Sequence, residues 1–147
     1  MKIYIGSDHA GLELKNEIGV YLNDQGIEVV DCGTYSSESC DYPDFAKKVC
    51  RGALLEQTYG ILVCSTGIGM SIVANKFKGI RAALVGSVED SQLTREHNDA
   101  NVLCLGAKNT SIDLAKKIVD TFLNTAFSGD RHLRRVNKIK AIEDEER

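Results

Sequence analysis

The stretch Ile61-Leu62-Val63-Cys64-Ser65-Thr66-Gly67-Ile68-Gly69-Met70-Ser71 decides how this chain is read. Four apolar residues run straight into a small, glycine-containing turn, and a helical segment follows. An uninterrupted apolar run is the mark of a strand buried on both faces. Glycines let the backbone approach a ligand closely and take up left-handed conformations. The helix start that follows presents free N–H groups and the positive end of a dipole. The loop therefore suits an anion or a developing oxyanion. It lacks the Gly-Lys-Ser/Thr of a Walker A loop. It follows the third strand, whereas the G-x-G-x-x-G dinucleotide fingerprint follows the first. A cysteine phosphatase loop would carry arginine six residues after Cys64, where Met70 stands. A tight strand-to-helix turn would also demand small residues, so the loop alone leaves structure and chemistry equally open.

Working outward, the same alternation recurs. Ile3–Ile5, Glu28–Cys32, Gly60–Cys64, Ala82–Val85 and Val102–Leu105 read as strands. Between them lie stripes at helical spacing: Leu14, Ile18 and Leu22, closed by Gly26; Phe45, Val49 and Ala53 after Pro43; and Ala115, Ile118 and Phe122. Ser87 with Asp90, and Thr110 with Asp113, have the spacing of a capping box with an acid in place of Glu. Strand and helix alternate about five times. That predicts an α/β fold, a three-layer Rossmann-like arrangement with a five-stranded parallel sheet flanked by helices. Ligand sites in such sheets lie outside the carboxyl ends of the strands, here just after Ile5, Cys32, Cys64, Val85 and Leu105. A last helix is expected over 131–147, with Val136, Ile139 and Ile142 as its apolar side and a solvated, frayed charged end.

The 147 residues, 43% of them hydrophobic and with one proline, suit a single domain over 1–147. No apolar run approaches the roughly 20 residues that span a bilayer, and the N-terminus reads as a strand rather than a signal peptide. No membrane partner is expected. The net charge of -3 argues against nucleic acid as the main partner. Five cysteines, an odd number without C-x-x-C spacing, point to a reducing cytoplasm and away from a disulfide framework or zinc site.

The strand ends supply the reactive groups. A thiol beside a helix start is favoured as thiolate, its reactive form, and Cys64 holds that place. Its four fellows read as small buried hydrophobes. Asp8 and His9 follow the first strand; by itself Asp8 reads as a helix N-cap and His9 as a surface histidine. With only His9, His97 and His132 present, few other groups could act as a metal-free acid or base. His97 and Asn98 fall in a polar stretch, read as a loop, between the fourth and fifth strands. Arg131 and Arg135, four apart, share a helical face that would grip a phosphate or stand in solvent. The histidines are too far apart for metal-ligand spacing, so no metal is expected.

Eight landmarks stand in order along nearly the whole chain. They are Gly6-Ser7-Asp8-His9-Ala10-Gly11, Asp31-Cys32-Gly33-Thr34, Asp41-Tyr42-Pro43, Cys64 to Gly69, Ala74-Asn75-Lys76, Gly79-Ile80-Arg81-Ala82, His97-Asn98-Asp99-Ala100-Asn101 and Arg131-His132-x-x-Arg135-Val136. Together they resemble the family that holds ribose-5-phosphate isomerase B and the galactose-6-phosphate isomerase subunits. The resemblance implies an aldose–ketose isomerase of ribose 5-phosphate and ribulose 5-phosphate, working without metal or organic cofactor. It implies a homodimer or homotetramer with the site at a subunit boundary. It makes Cys64 the base that takes the C2 proton and His97 a ring-opening residue. Asp8, His9 and Asn98 become substrate contacts. Ser65, Thr66, Gly67, Ile68 and Gly69 become the loop that holds the enediolate, with Thr66 counted among the catalytic residues, and Arg131 and Arg135 become phosphate ligands. Two positions depart from the pattern: Ser65 stands where many members have glycine, and Lys108 where many have arginine. A hexose 6-phosphate isomerase (for allose or galactose 6-phosphate) and a non-catalytic sugar-phosphate sensor are the competing readings. Retention of both Cys64 and His97 speaks against the sensor.

Overall fold

The computed structural model describes residues 1–146. Its strands are β1 (Lys2–Ser7), β2 (Glu28–Asp31), β3 (Gly60–Cys64), β4 (Ala82–Leu84) and β5 (Val102–Gly106). Its helices are α1 (Leu12–Asp24), α2 (Tyr42–Glu56), α3 (Ile68–Ala74), α4 (Val88–Asn98), α5 (Ile112–Asn124) and α6 (Arg131–Glu146). All strand pairs are parallel, in the order β2-β1-β3-β5-β4. The three-layer Rossmann-like expectation holds. β3 and β5 are buried along their whole length, as their unbroken apolar runs require. β2 and β4, at the sheet edges, are half-exposed.

Alternation along the strands sorts the core into two layers. Ile3, Ile5, Ile61, Val63, Leu103 and Leu105 meet Leu14, Ile18, Leu22, Ile118 and Phe122 from α1 and α5 on one face. Leu62, Cys64, Val102 and Cys104 meet Ala46, Val49, Cys50 and Met70 from α2 and α3 on the other. The chain leaves β1 toward β2 and then returns to the far side of β1 as β3. The direction of winding therefore reverses between β1 and β3, and such a switch point opens a crevice at the carboxyl ends of the two strands.

Three local expectations need correction. Ser87 caps α4 by accepting a hydrogen bond from the Asp90 N–H, as its spacing predicted. For α5, however, the cap is Ser111, which accepts from the Leu114 N–H, while Thr110 is buried one residue before it. The helix begins where Ser111 turns extended, and the acid at 113 fits the first turn either way. The polar stretch around His97 is helix, not loop: α4 continues to Asn98 on i,i+4 backbone bonding despite its low apolar content. The charged end of α6 is docked rather than frayed. Glu143 accepts a hydrogen bond from the Gly79 N–H at 2.9 Å, and Asp144 pairs with Lys78 at 2.6 Å. Of its expected apolar side only Val136 is buried; Ile139 and Ile142 are exposed. Arg147, at the end of the expected helix, lies outside the described residues.

Candidate active site

β3 delivers Cys64 to the mouth of the crevice on the α2/α3 side, only 5% exposed. The chain then turns through Ser65 and Thr66 to Gly67, whose φ of +78° lies in the left-handed region. A Cβ at Gly67 would stand 2.6 Å from Leu84 Cδ1 and 2.9 Å from the Leu105 carbonyl carbon, so glycine is needed for space as well as for conformation. The turn folds the Gly67 N–H back onto Cys64 Sγ at 3.2 Å. Such a bond strengthens when the acceptor is a thiolate. Thr66 Oγ1 accepts from the Ile68 N–H at 3.3 Å and braces the turn. Gly69 follows in the first turn of α3, where backbone donors have no partner inside the helix. Ser65 is not among the residues with positive φ, so a serine fits there without backbone strain. Its carbonyl accepts from the Lys108 N–H at 2.9 Å, and the Cys64 carbonyl from the Ala107 N–H at 2.9 Å. The loop after β5 thus supports the loop after β3. Lys108 itself is exposed. With Ser65, Glu13 and Glu17 it lines a groove of about 360 Å³ on the α1/α5 side of the loop, away from the Cys64 thiol.

From β1 come Asp8 and His9. The Asp8 N–H donates to the Val63 carbonyl at 3.3 Å, which fixes the segment beside β3. Asp8 Oδ1 accepts from the Gly11 N–H at 3.1 Å, so the side chain caps the turn into α1, although the N-cap itself is Gly11. His9 is exposed, and its Nδ1 accepts from the Cys40 N–H at 3.2 Å. A backbone N–H only donates, so the neutral ring carries its proton on Nε2, free to donate outward. Tyr42, which the sequence reading left without a role, lies against Gly69 at the rim.

The other expected site residues stand elsewhere. α4 runs from the carboxyl end of β4 back to the start of β5, and it carries His97 and Asn98 in its last turn. Cys64 is level with Gly106, the last residue of β5, whereas Asn98 lies below Val102, the first. A strand of that length spans about 13 Å. The His97 ring stacks on His132 of α6, with centroids 4.2 Å apart and planes 9° from parallel. The stack places the exposed Arg131 and Arg135 beside His97. His132 is held below its ordinary value, first by burial, then by His97, Arg131 and Arg135. Burial is the main cause; the two arginines add positive charge beside the stack, as an anion site requires. Sequence could not reveal the stack, because it depends on how α6 crosses α4. One chain therefore carries the expected residues in two groups at opposite ends of its strands: Asp8, His9, Cys64–Gly69 and Lys108 at the carboxyl ends, and His97, Asn98, Arg131 and Arg135 toward the amino end of β5. Among the described residues no group of three or more His, Cys, Asp or Glu is placed to hold a metal ion. No helix of the described residues is long and apolar enough to cross a membrane.

A parallel, doubly wound α/β chain with a thiol and backbone donors at its switch point has the layout of a small-molecule enzyme. Comparison with known proteins narrows that class. The chain belongs to the Ribose/Galactose Isomerase family, whose sequence profile matches residues 3–139. It is 49% identical over 143 residues to ribose-5-phosphate isomerase B of Escherichia coli K12, covering 97% of this chain and 96% of that one. Its structure superposes on that of ribose-5-phosphate isomerase B from Clostridium thermocellum with a TM-score of 0.98, at 49% identity and over 100% of both chains. The Mycoplasma genitalium enzyme, solved with bound ribulose 5-phosphate, matches with a TM-score of 0.94 at 44% identity, over 98% of this chain and 97% of that one.

Proposed function

We propose that this chain is a ribose-5-phosphate isomerase that interconverts D-ribose 5-phosphate and D-ribulose 5-phosphate, working as one domain in the cytoplasm. The observation that carries the reading is Cys64 Sγ, bonded by the Gly67 N–H at the head of the switch-point crevice. The relative that binds ribulose 5-phosphate supports the pentose over a hexose 6-phosphate.

The chemistry follows from the groups present. In the open-chain aldose the C2 proton is acidified by the C1 carbonyl. Cys64 as thiolate takes that proton, and the charge moves onto the carbonyl oxygen as an enediolate. Backbone donors at the start of α3, such as the Gly69 N–H, stabilise that charge without reorganising. Proton return at C1, with the O2 proton passing to O1, gives the ketose. Asp8 and the His9 Nε2–H contact the sugar hydroxyls. The phosphate, remote from the reacting carbons, supplies binding energy that positions them. No step calls for a metal or an organic cofactor.

Cys64 and His97 serve one substrate only if two copies meet. A two-fold axis that sets the Cys64 end of one copy against the His97–Arg131–Arg135 end of another completes two equivalent sites. Exposed apolar side chains offer the contact surface: Leu133, Ile139 and Ile142 on α6, and Ile68, Ile72 and Leu84 near the Cys64 loop. In this assembly Arg131 and Arg135 of the second copy grip the phosphate, and His97 of that copy moves the proton that opens the furanose. Lys108, with a point charge in place of a fork, assists the phosphate only weakly.

The test is conversion of ribose 5-phosphate with and without EDTA, beside allose 6-phosphate. Turnover that is unaffected by EDTA and prefers the pentose is expected. Phosphosugar binding without turnover of either sugar would instead establish a sensor.

A further inference from the structure

We infer that Arg81 and Arg95, acting through Asp99, are positioning residues for the His97–Asn98 half-site, an assignment that rests on the two-copy reading above. α4 has to stop abruptly after His97 and Asn98 so that β5 can begin at Val102. The residue that reverses the chain, Asp99, has φ +47°. Glycine is the residue that takes this conformation freely; aspartate has to be held in it. Two guanidinium groups hold it. Arg95 Nη1 donates to Asp99 Oδ1 at 2.8 Å and to the Ala100 carbonyl at 2.7 Å. Arg81 Nη2 donates to Asp99 Oδ2 at 3.3 Å and to the Asp99 carbonyl at 2.9 Å, while its Nε reaches the Asn98 carbonyl at 3.0 Å. The last three carbonyls of the turn are thus each met by a cation, which also complements the negative end of the helix dipole.

The clamp is anchored on both sides. Arg95 is 4% exposed, lies over the rings of Tyr59 and Phe122 at 4.9 and 5.7 Å, and its Nε donates to the Thr125 carbonyl at 3.1 Å. The Arg81 N–H donates to Asn101 Oδ1 at 2.7 Å, and Asn101 Nδ2 to the Gly79 carbonyl at 2.8 Å. The fork geometry carries the function, because each guanidinium satisfies several acceptors at fixed angles that a lysine ammonium does not match. His97 and Asn98 sit two and one residues before the clamped turn, so their direction toward a second copy is set by it.

Arg81→Lys and Asp99→Asn test the assignment, each alone and each combined with His97→Ala, with folding checked by thermal unfolding. In the wild-type background each is expected to lower kcat on ribose 5-phosphate about 10- to 100-fold, the scale of a misplaced group, with KM within about twofold. In the His97→Ala background the same substitution should cost several-fold less than in the wild-type background, because one of the two residues it positions is already gone. Equal fold losses in both backgrounds would overturn the assignment and leave a merely structural clamp. The two substitutions are independent, so Asp99→Asn carries the test should Arg81→Lys not fold. Full turnover by His97→Ala alone would overturn the two-copy reading, and the assignment with it.

Discussion

Cys50 and Cys104 are thiols that burial keeps protonated, Cys50 pushed up to about 12 and Cys104 raised well above its ordinary value. Burial and the neighbouring Asp31 raise Cys32 as well. What sets Cys64 apart is position: the strand end, the left-handed glycine three residues on, and the N–H that glycine returns to the sulfur. The strand end and the glycine turn were legible in the sequence; the N–H returned to the sulfur was not, because it depends on the left-handed turn at Gly67. His132 was not legible. It read as part of a basic run, yet it is 8% exposed and stacked under His97. Its depressed value makes a prediction with a definite sign. The unfolded chain, with a histidine near 6.5, takes up the proton more readily than the folded one. Stability is full above about pH 6.5 and falls as the pH drops through that value toward the lower folded one. Urea midpoints measured between about pH 8 and 5 should show this fall, and His132→Asn should flatten it. An unchanged slope would mean that the stacked ring is not the group that titrates.

At the scale of elements, the sequence announced the strands within a residue or two because their apolar runs are sharp. It blurred helix ends, where several polar residues compete for one cap. Ser111 and Thr110 are adjacent hydroxyls, and only backbone direction decides which accepts from the Leu114 N–H. α4 was misread near its end because Arg95-Glu96-His97-Asn98 has no apolar stripe. Tertiary contacts supply what propensity lacks there: the buried Arg95, and Ser91 Oγ donating to the Ile118 carbonyl at 2.7 Å. The junction of β3 and α3 gives the sharpest element-level prediction. Gly67→Ala places a Cβ in a left-handed conformation and against Leu84 and Leu105. It should lower unfolding free energy by about 1–3 kcal/mol, measured by chemical denaturation. It should also slow turnover, because the N–H on Cys64 Sγ moves. A variant as stable and active as the parent would show that the turn does not need its left-handed residue.

On the scale of the whole molecule, the parallel sheet was foreseeable from five alternations, whereas its switch point needed the strand order that only the structure gives. The separation of Cys64 from His97 was not readable from spacing. Residues 64 and 97 are joined by α3, β4 and α4, and only the direction of α4 reveals that they lie at opposite ends of the strands. The resemblance to known isomerases implied a site at a subunit boundary, and the proposed meeting of two copies is supported by that separation along the strands. The most direct measurement mixes Cys64→Ala with His97→Ala, each almost inactive alone, under conditions where subunits exchange. In a hybrid dimer one of the two sites receives intact Cys64 from one copy and intact His97 from the other. Random pairing makes about half of the dimers hybrid, so activity should rise to about a quarter of the wild-type level. A mixture that stays as inactive as its parents, with exchange demonstrated by a mass or fluorescence label, would contradict a site shared between two copies.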